Sequence, residues 1–142
     1  FVCADLLHIK NYAQLSTKSE KILEEFLPGA YTFVLPSSKQ APKEVITEQK
    51  TVGLRIPDHA VPLSIVNSLK QPLLSTSANF SGEDVLTNPN ELEEYMGDKV
   101  DLIITDGEIL AQPSSVISLI NDEPTVLRIG KGDVTRMDKK IY

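Results

Sequence analysis

The apolar and polar positions of this chain repeat with two different periods. From Thr17 the spacing Thr-x-x-Glu of a capping box precedes Ile22, Leu23, Phe26 and Leu27, which share one face at helical spacing. This predicts a helix over Thr17 to Leu27, stopped by Pro28-Gly29, because proline breaks the amide ladder and glycine accepts the turn beyond it. The period then shortens. "YTFVLP" (31–36) and "TVGLRIP" (51–57) are rich in β-branched and aromatic residues and predict two strands. Asp58 is the expected cap of a helix whose buried stripe is Val61, Ile65, Val66 and Leu69, with Pro62 tolerated in its first turn. "PLLSTSAN" (72–79) predicts a third strand, Asn88-Pro89 opens a short helix bearing Leu92, Tyr95 and Met96, and "VDLIIT" (100–105) predicts a fourth strand closed by Asp106-Gly107. "SSVISLI" and "TVLRIG" flank the turn residues "NDEP" and predict a β-hairpin, followed by a polar surface tail over 134–142.

Strands separated by helices and then paired locally point to an α/β domain with a mixed, twisted open sheet and flanking helices. Composition sharpens that picture. The chain has 142 residues, 41% of them hydrophobic and 24% charged, which suits one globular domain over 1–142. No apolar run is long enough to cross a bilayer, and "FVCADLLHIK" lacks the pattern of a secretory signal, so the expected location is cytoplasmic, away from membranes. The formal charge of −6 opposes binding of nucleic acid chiefly through phosphates. Cys3 is the one cysteine; without a partner it reads as a reduced thiol, and no metal site is expected. The chain opens on the apolar pair Phe1-Val2 without an initiator methionine, which reads as an amino-terminally incomplete domain lacking its first strands.

The densest candidate chemistry is "LLSTSANFSG" (73–82). On an extended segment Ser75, Ser77 and Asn79 would face one side of the sheet, offering neutral donors and acceptors for anionic oxygens or an amino acid. The alternative is that these side chains bond the nearby backbone of a turn. A serine nucleophile is a weaker reading, since the flanks are not Gly-x-Ser-x-Gly and the only histidines are His8 and His59. In "GLRIPDH", alternation puts Gly53 and Arg55 on one face and Leu54 and Ile56 on the other, so Arg55 stands clear of the core. Arg128 in "VLRIG" has the same setting, and for both the competing reading is a solvated surface arginine. His59 reads as a helix-start residue, "IGKGD" (129–133) as a tight turn rather than a P-loop, and "ELEEYMGD" as a solvated helix face.

Together "LPGAYTFVLP", "TVGLRIPDH", "LLSTSANFSG", "PSSVISLI" and "VLRIGKGD" resemble, in order and spacing, the YrdC-like family of L-threonylcarbamoyladenylate synthases. The resemblance runs from Cys3 to about Asp133 and spans the latter three-quarters of that family's domain. It implies a nucleotidyltransferase that converts L-threonine, bicarbonate and ATP into threonylcarbamoyl-AMP and pyrophosphate, with magnesium carried by ATP. The implied recipient is a transferase that modifies tRNA. Carried onto this chain, the resemblance makes Thr51, Ser77, Asn79 and Arg128 the ATP-side residues and Arg55, Ser75 and Ser114 the L-threonine-side residues, with Ser77 and Asn79 positioning the reactants and no protein nucleophile. The family's Lys-x-Arg element has no counterpart here, and Val85 stands where some members carry a serine. The implied chemistry rests on arginine forks and oriented hydroxyls that position and neutralise oxygens. Two rivals share the fold: a non-catalytic module binding tRNA or double-stranded RNA, and the carbamoyl-adenylate domain of hydrogenase maturation, whose Cys-x-x-Cys zinc elements are absent from this chain.

Overall fold

A computed structural model describes residues 1–109 and 112–138. The chain divides into two compact units, Phe1–Ser75 with Pro113–Tyr142, and Thr76–Gln112. The first unit carries helices α1 (Leu6–Tyr12), α2 (Thr17–Phe26) and α3 (Ala60–Leu69), strands β1 (Tyr31–Pro36), β2 (Thr51–Leu54), β3 (Ser115–Ser118) and β4 (Thr125–Arg128), and a carboxyl-terminal turn of helix, α5 (Thr135–Asp138). A short 3₁₀ turn spans Lys43–Val45. The described residues of the second unit include helix α4 (Pro89–Met96).

The strands form one mixed sheet in the order β2-β1-β3-β4. β1 runs antiparallel to β2 and parallel to β3, and β3 runs antiparallel to β4 across a bulge at Val116/Ile117. This is the expected mixed open sheet with flanking helices. Beyond β2, Arg55 continues the edge through a single bridge to Val2, and Val2 bridges in turn to Leu73. One sheet face is dry. Tyr31, Phe33, Leu35, Val52, Leu54, Ile56, Ile117 and Leu119 form one core with Ile9 of α1 and with Ile22, Leu23 and Phe26 of α2. The strict alternation of β1, buried at Tyr31, Phe33 and Leu35 and half-buried at Thr32, Val34 and Pro36, is what a strand covered on one face requires. Cys3 lies fully inside this core, and burial pushes its thiol up to about 12.

Several expectations need correction. The box that caps α2 is formed by Ser16 and Ser19, one residue earlier than the Thr17/Glu20 reading, and Ser16 Oγ also donates to Asp122 Oδ1 at 2.6 Å. α3 is capped by His59, whose Nδ1 accepts the Val61 amide at 3.2 Å, rather than by Asp58. Only Val66 of the predicted α3 stripe is buried, and Leu69 is exposed. α1 escaped the sequence reading, although Asp5 Oδ1 accepts the His8 amide at 2.8 Å as an ordinary N-cap.

The predicted strand at 72–79 reduces to the single bridge at Leu73, and the predicted strand at 100–105 is not a strand. A strand exists only where a neighbour takes its amides and carbonyls, and past Leu73 and at 100–105 no ladder forms among the described residues. The tail is no mere surface feature either. Met137 of α5 is buried in the core and Val134 packs against it; positions 139–142 lie outside the described residues.

The second unit is built differently. None of its described residues is buried. Asn88 Oδ1 caps α4 by accepting the Asn90 amide at 2.9 Å, with Pro89 in the first turn as predicted. Phe80 and Tyr95 rings meet at 6.0 Å between centroids, with the Lys99 ammonium 5.9 Å above Phe80.

Candidate functional site

The sheet face opposite the core carries the candidate site of the first unit. Alternation along β2 turns Leu54 and Ile56 inward and leaves Gly53 and Arg55 on the other side, as the sequence predicted. Gly53 pairs with Val34 of β1, and a Cβ added to Gly53 would lie 3.6 Å from Thr32 Cγ2, so Thr32 shares its face. Thr32 Oγ1 is 2.8 Å from Ser114 Oγ, at the entry to β3. Arg128 closes the row from β4: its Nε and Nη2 donate to the Ser114 carbonyl at 3.2 and 2.9 Å, and Nη2 makes a longer 3.4 Å contact with Ser114 Oγ. Arg55, Gly53, Thr32, Ser114 and Arg128 thus follow one another across β2, β1, β3 and β4.

The two arginines are held in opposite ways. Arg128 is exposed, with one edge of its fork spent on Ser114. Arg55 is fixed by its backbone, donating to the Phe1 carbonyl at 2.9 Å and accepting from the Cys3 amide at 2.8 Å. Its guanidinium is half-buried, and Nε has no hydrogen-bond partner among the described residues. Burial lowers the Arg55 pKa from its ordinary value, and the group remains a cation at neutral pH. A desolvated cation with an unspent donor is the electrostatic requirement for an anionic oxygen.

A second layer holds the row in place, and the sequence reading missed it. Ser115 is fully buried; its Oγ donates to the Gly132 carbonyl at 2.6 Å and accepts from the Gly130 amide at 2.9 Å. Lys131 N donates to Pro113 O at 2.8 Å, and Tyr31 Oη donates to Asp133 O at 3.2 Å. "IGKGD" is therefore a strap lying across the ends of β1 and β3. Its glycines serve close approach: a Cβ at Gly130 would meet Pro113 O at 2.2 Å, and one at Gly132 would meet Tyr31 Cε1 at 2.5 Å. The signal was legible as two glycines beside a strand end, which fits close backbone contact as well as it fits a turn.

The remaining predicted residues sit elsewhere. Thr51 is buried, its hydroxyl 2.7 Å from Thr47 Oγ1 within the turn that precedes β2. Ser75 is exposed at the end of the first unit. Ser77 and Asn79 belong to the second unit, where the shared sheet face expected for the serine-asparagine run does not form. Asn79 N donates to Ser77 O at 3.0 Å, and Asn79 Nδ2 donates to the Phe80 and Glu83 carbonyls, both at 3.0 Å. Local side-chain bonds outcompete the extended form here, as the turn alternative had it. Asn79 Oδ1 is buried and has no partner among the described residues. Two hollows of about 430 and 170 Å³ lie within this unit, and neither is lined by an arginine or lysine that a triphosphate would require.

An open mixed sheet with one dry face, and with two arginines and two hydroxyl side chains on the other, defines an α/β protein. The comparisons with known proteins make this specific: the family model for Sua5, YciO and YrdC, described as telomere recombination, matches residues 1–130, and the chain belongs to that family. An uncharacterized protein of Haemophilus influenzae is 34% identical over 134 residues, covering 92% of this chain and 65% of its own length. The uncharacterized protein YciO of Escherichia coli is 33% identical over 94% of this chain and 66% of its own length, and its crystal structure superposes with a TM-score of 0.89 at 32% identity over 96% of this chain and 67% of that one. A threonylcarbamoyl-AMP synthase of Pyrococcus abyssi is 31% identical over 96% of this chain and 42% of its own length. The crystal structure of Sua5 from that organism complexed with L-threonine gives a TM-score of 0.89 at 29% identity over 98% of this chain and 42% of that one. The chain spans about two thirds of the first two relatives' length. Among the described residues, no helix is long and apolar enough to cross a membrane.

Proposed function

We propose that this chain carries the substrate-holding sheet of a nucleotidyltransferase that forms threonylcarbamoyl-AMP and pyrophosphate from L-threonine, bicarbonate and ATP. The observation that carries the reading is the row Arg55, Thr32, Ser114 and Arg128 on one sheet face, ending in the buried, unspent Arg55 Nε. Similarity to a threonylcarbamoyl-AMP synthase and to a Sua5 structure holding L-threonine supports it.

In this reading the threonine amine condenses with bicarbonate with loss of water, or adds to carbon dioxide with loss of a proton, and a carbamate oxygen then attacks the α-phosphorus of ATP as pyrophosphate departs. The charge on that path lies on oxygens, so permanent cations and oriented donors do the work. Arg55 takes the threonine carboxylate through the donors it has left, Ser114 adds a hydroxyl, and Arg128 turns the free edge of its fork to phosphate. Ser75 belongs to the threonine contacts and Thr51 to the nucleotide contacts that the family resemblance implies. For Ser77 and Asn79, in the second unit, nucleotide contact is proposed on the same ground, and the unpartnered Asn79 Oδ1 is the acceptor there. Magnesium enters with ATP; no residue of the proposed set is a carboxylate, so the triphosphate itself supplies its anionic ligands. The adenylate would pass to a tRNA-modifying transferase.

Pyrophosphate release by the protein is the test. Release that requires L-threonine and bicarbonate together is expected, and release indifferent to threonine, or none, overturns the reading. An Arg55→Lys variant, which keeps charge but loses the planar fork, should lose at least about tenfold in threonine affinity.

A further inference from the structure

We infer that Thr32 is a positioning residue that commits the Ser114 hydroxyl to donating, and so prepares it for an anionic oxygen of the amino-acid substrate. The inference rests on the proposed threonine-binding role of Ser114.

A serine hydroxyl has one proton and two acceptor sites, and its rotor is ordinarily free. Around Ser114 Oγ two groups compete for those sites. Arg128 Nη2, 3.4 Å away, has only donors and can use nothing but an acceptor site. Thr32 Oγ1 is 2.8 Å away, and the β1 backbone holds it there, between the buried Tyr31 and Phe33. Either hydroxyl can be the donor across this contact; beside an oxygen that only accepts, the arrangement that satisfies every group has Thr32 donating, which fills both acceptor sites of Ser114 and leaves its proton for that oxygen. A carboxylate or carbamate oxygen, which only accepts, is the matching ligand.

The second layer keeps this arrangement in register. Ser115, the next residue, is bonded inward to the Gly130 amide and Gly132 carbonyl, so the chain cannot rotate Ser114 away from Thr32 without breaking both hydrogen bonds of the buried Ser115 hydroxyl. Arg128 is tied to the same residue through the Ser114 carbonyl. The threonine-side hydroxyl and the nucleotide-side arginine therefore meet on one residue, and Thr32 sets the hydroxyl's direction.

Thr32→Val keeps shape and strand preference while removing the hydroxyl. Calorimetric titration with L-threonine should show affinity reduced roughly two- to tenfold, the range one net hydrogen bond supplies. Thr32→Ser should restore wild-type affinity within about twofold, because it returns the donor. In a double-mutant cycle, Thr32→Val should cost little more once Ser114→Ala is present, since its effect runs through that hydroxyl. The inference is overturned if Thr32→Val binds L-threonine as the wild type does, if serine fails to rescue, or if the two losses simply add. Should Thr32→Val not fold, the comparison of Thr32→Ser with Thr32→Ala decides by the same criteria. Wild-type protein that binds no L-threonine overturns the site reading and the inference with it, whereas wild-type binding with an indifferent Thr32→Val overturns the inference alone.

Discussion

The two units of this chain use similar residues to different ends. In the first, apolar positions at period two and period 3.6 meet on one side of a paired sheet, and Phe33, Leu35, Leu54 and Ile117 are fully buried. In the second, "VDLIIT" has as apolar a pattern as β1, yet Leu102 is 74% exposed and Ile104 54% exposed. The difference lies in pairing rather than composition. β1 has a hydrogen-bonded neighbour on each edge, while 100–105 has none among the described residues, so its side chains have no fixed face to bury. A hydrophobic pattern acts as a strand only when the backbone beside it is engaged.

That contrast can be broken by mutation. Phe33→Ala in the core of the first unit should cost about 3–5 kcal/mol, read as a lower denaturation midpoint at unchanged slope. Gly130→Ala should cost roughly 1–3 kcal/mol, because the added methyl group meets a backbone carbonyl that cannot swing aside. Ser115→Ala should cost about 1–2 kcal/mol by leaving the Gly130 amide and Gly132 carbonyl without their shared partner. At the small end, Leu102→Ser should change stability by no more than about 0.5 kcal/mol. Amide exchange sharpens the same point: protection in β1 and β3 should approach that of global unfolding, while amides at 101–105 should exchange near the free-chain rate. A large loss at Leu102, or strong protection at 101–105, would show that the second unit has a core of its own.

How much was legible follows the same division. β1, the β3–β4 hairpin, the α2 face and the outward turn of Arg55 were readable because their periodicity is local and the burial that rewards it is present. The shared face drawn for Ser75, Ser77 and Asn79 does not form, because period-two geometry needs a paired strand and here the Asn79 side-chain amide bonds the Phe80 and Glu83 carbonyls instead, as the turn alternative had it. Arg128 and Ser114 were picked out singly, but not as bonded partners, since their contact arises from the β3–β4 register and its bulge. Thr32 went unnoticed because one polar residue in a strand says only that a face is wet; what it touches is decided by a chain segment 82 residues away.

The adjacent serines Ser114 and Ser115, at the start of β3, show how finely the sheet must be threaded. Chemically they are the same group, yet one is invested in holding the strap and the other is presented outward. A slip of one position would exchange their assignments, stranding a hydroxyl in the dry interior and withdrawing the other from Thr32 and Arg128. Correct threading of this strand is thereby checked twice, once inside the core and once on the outer face.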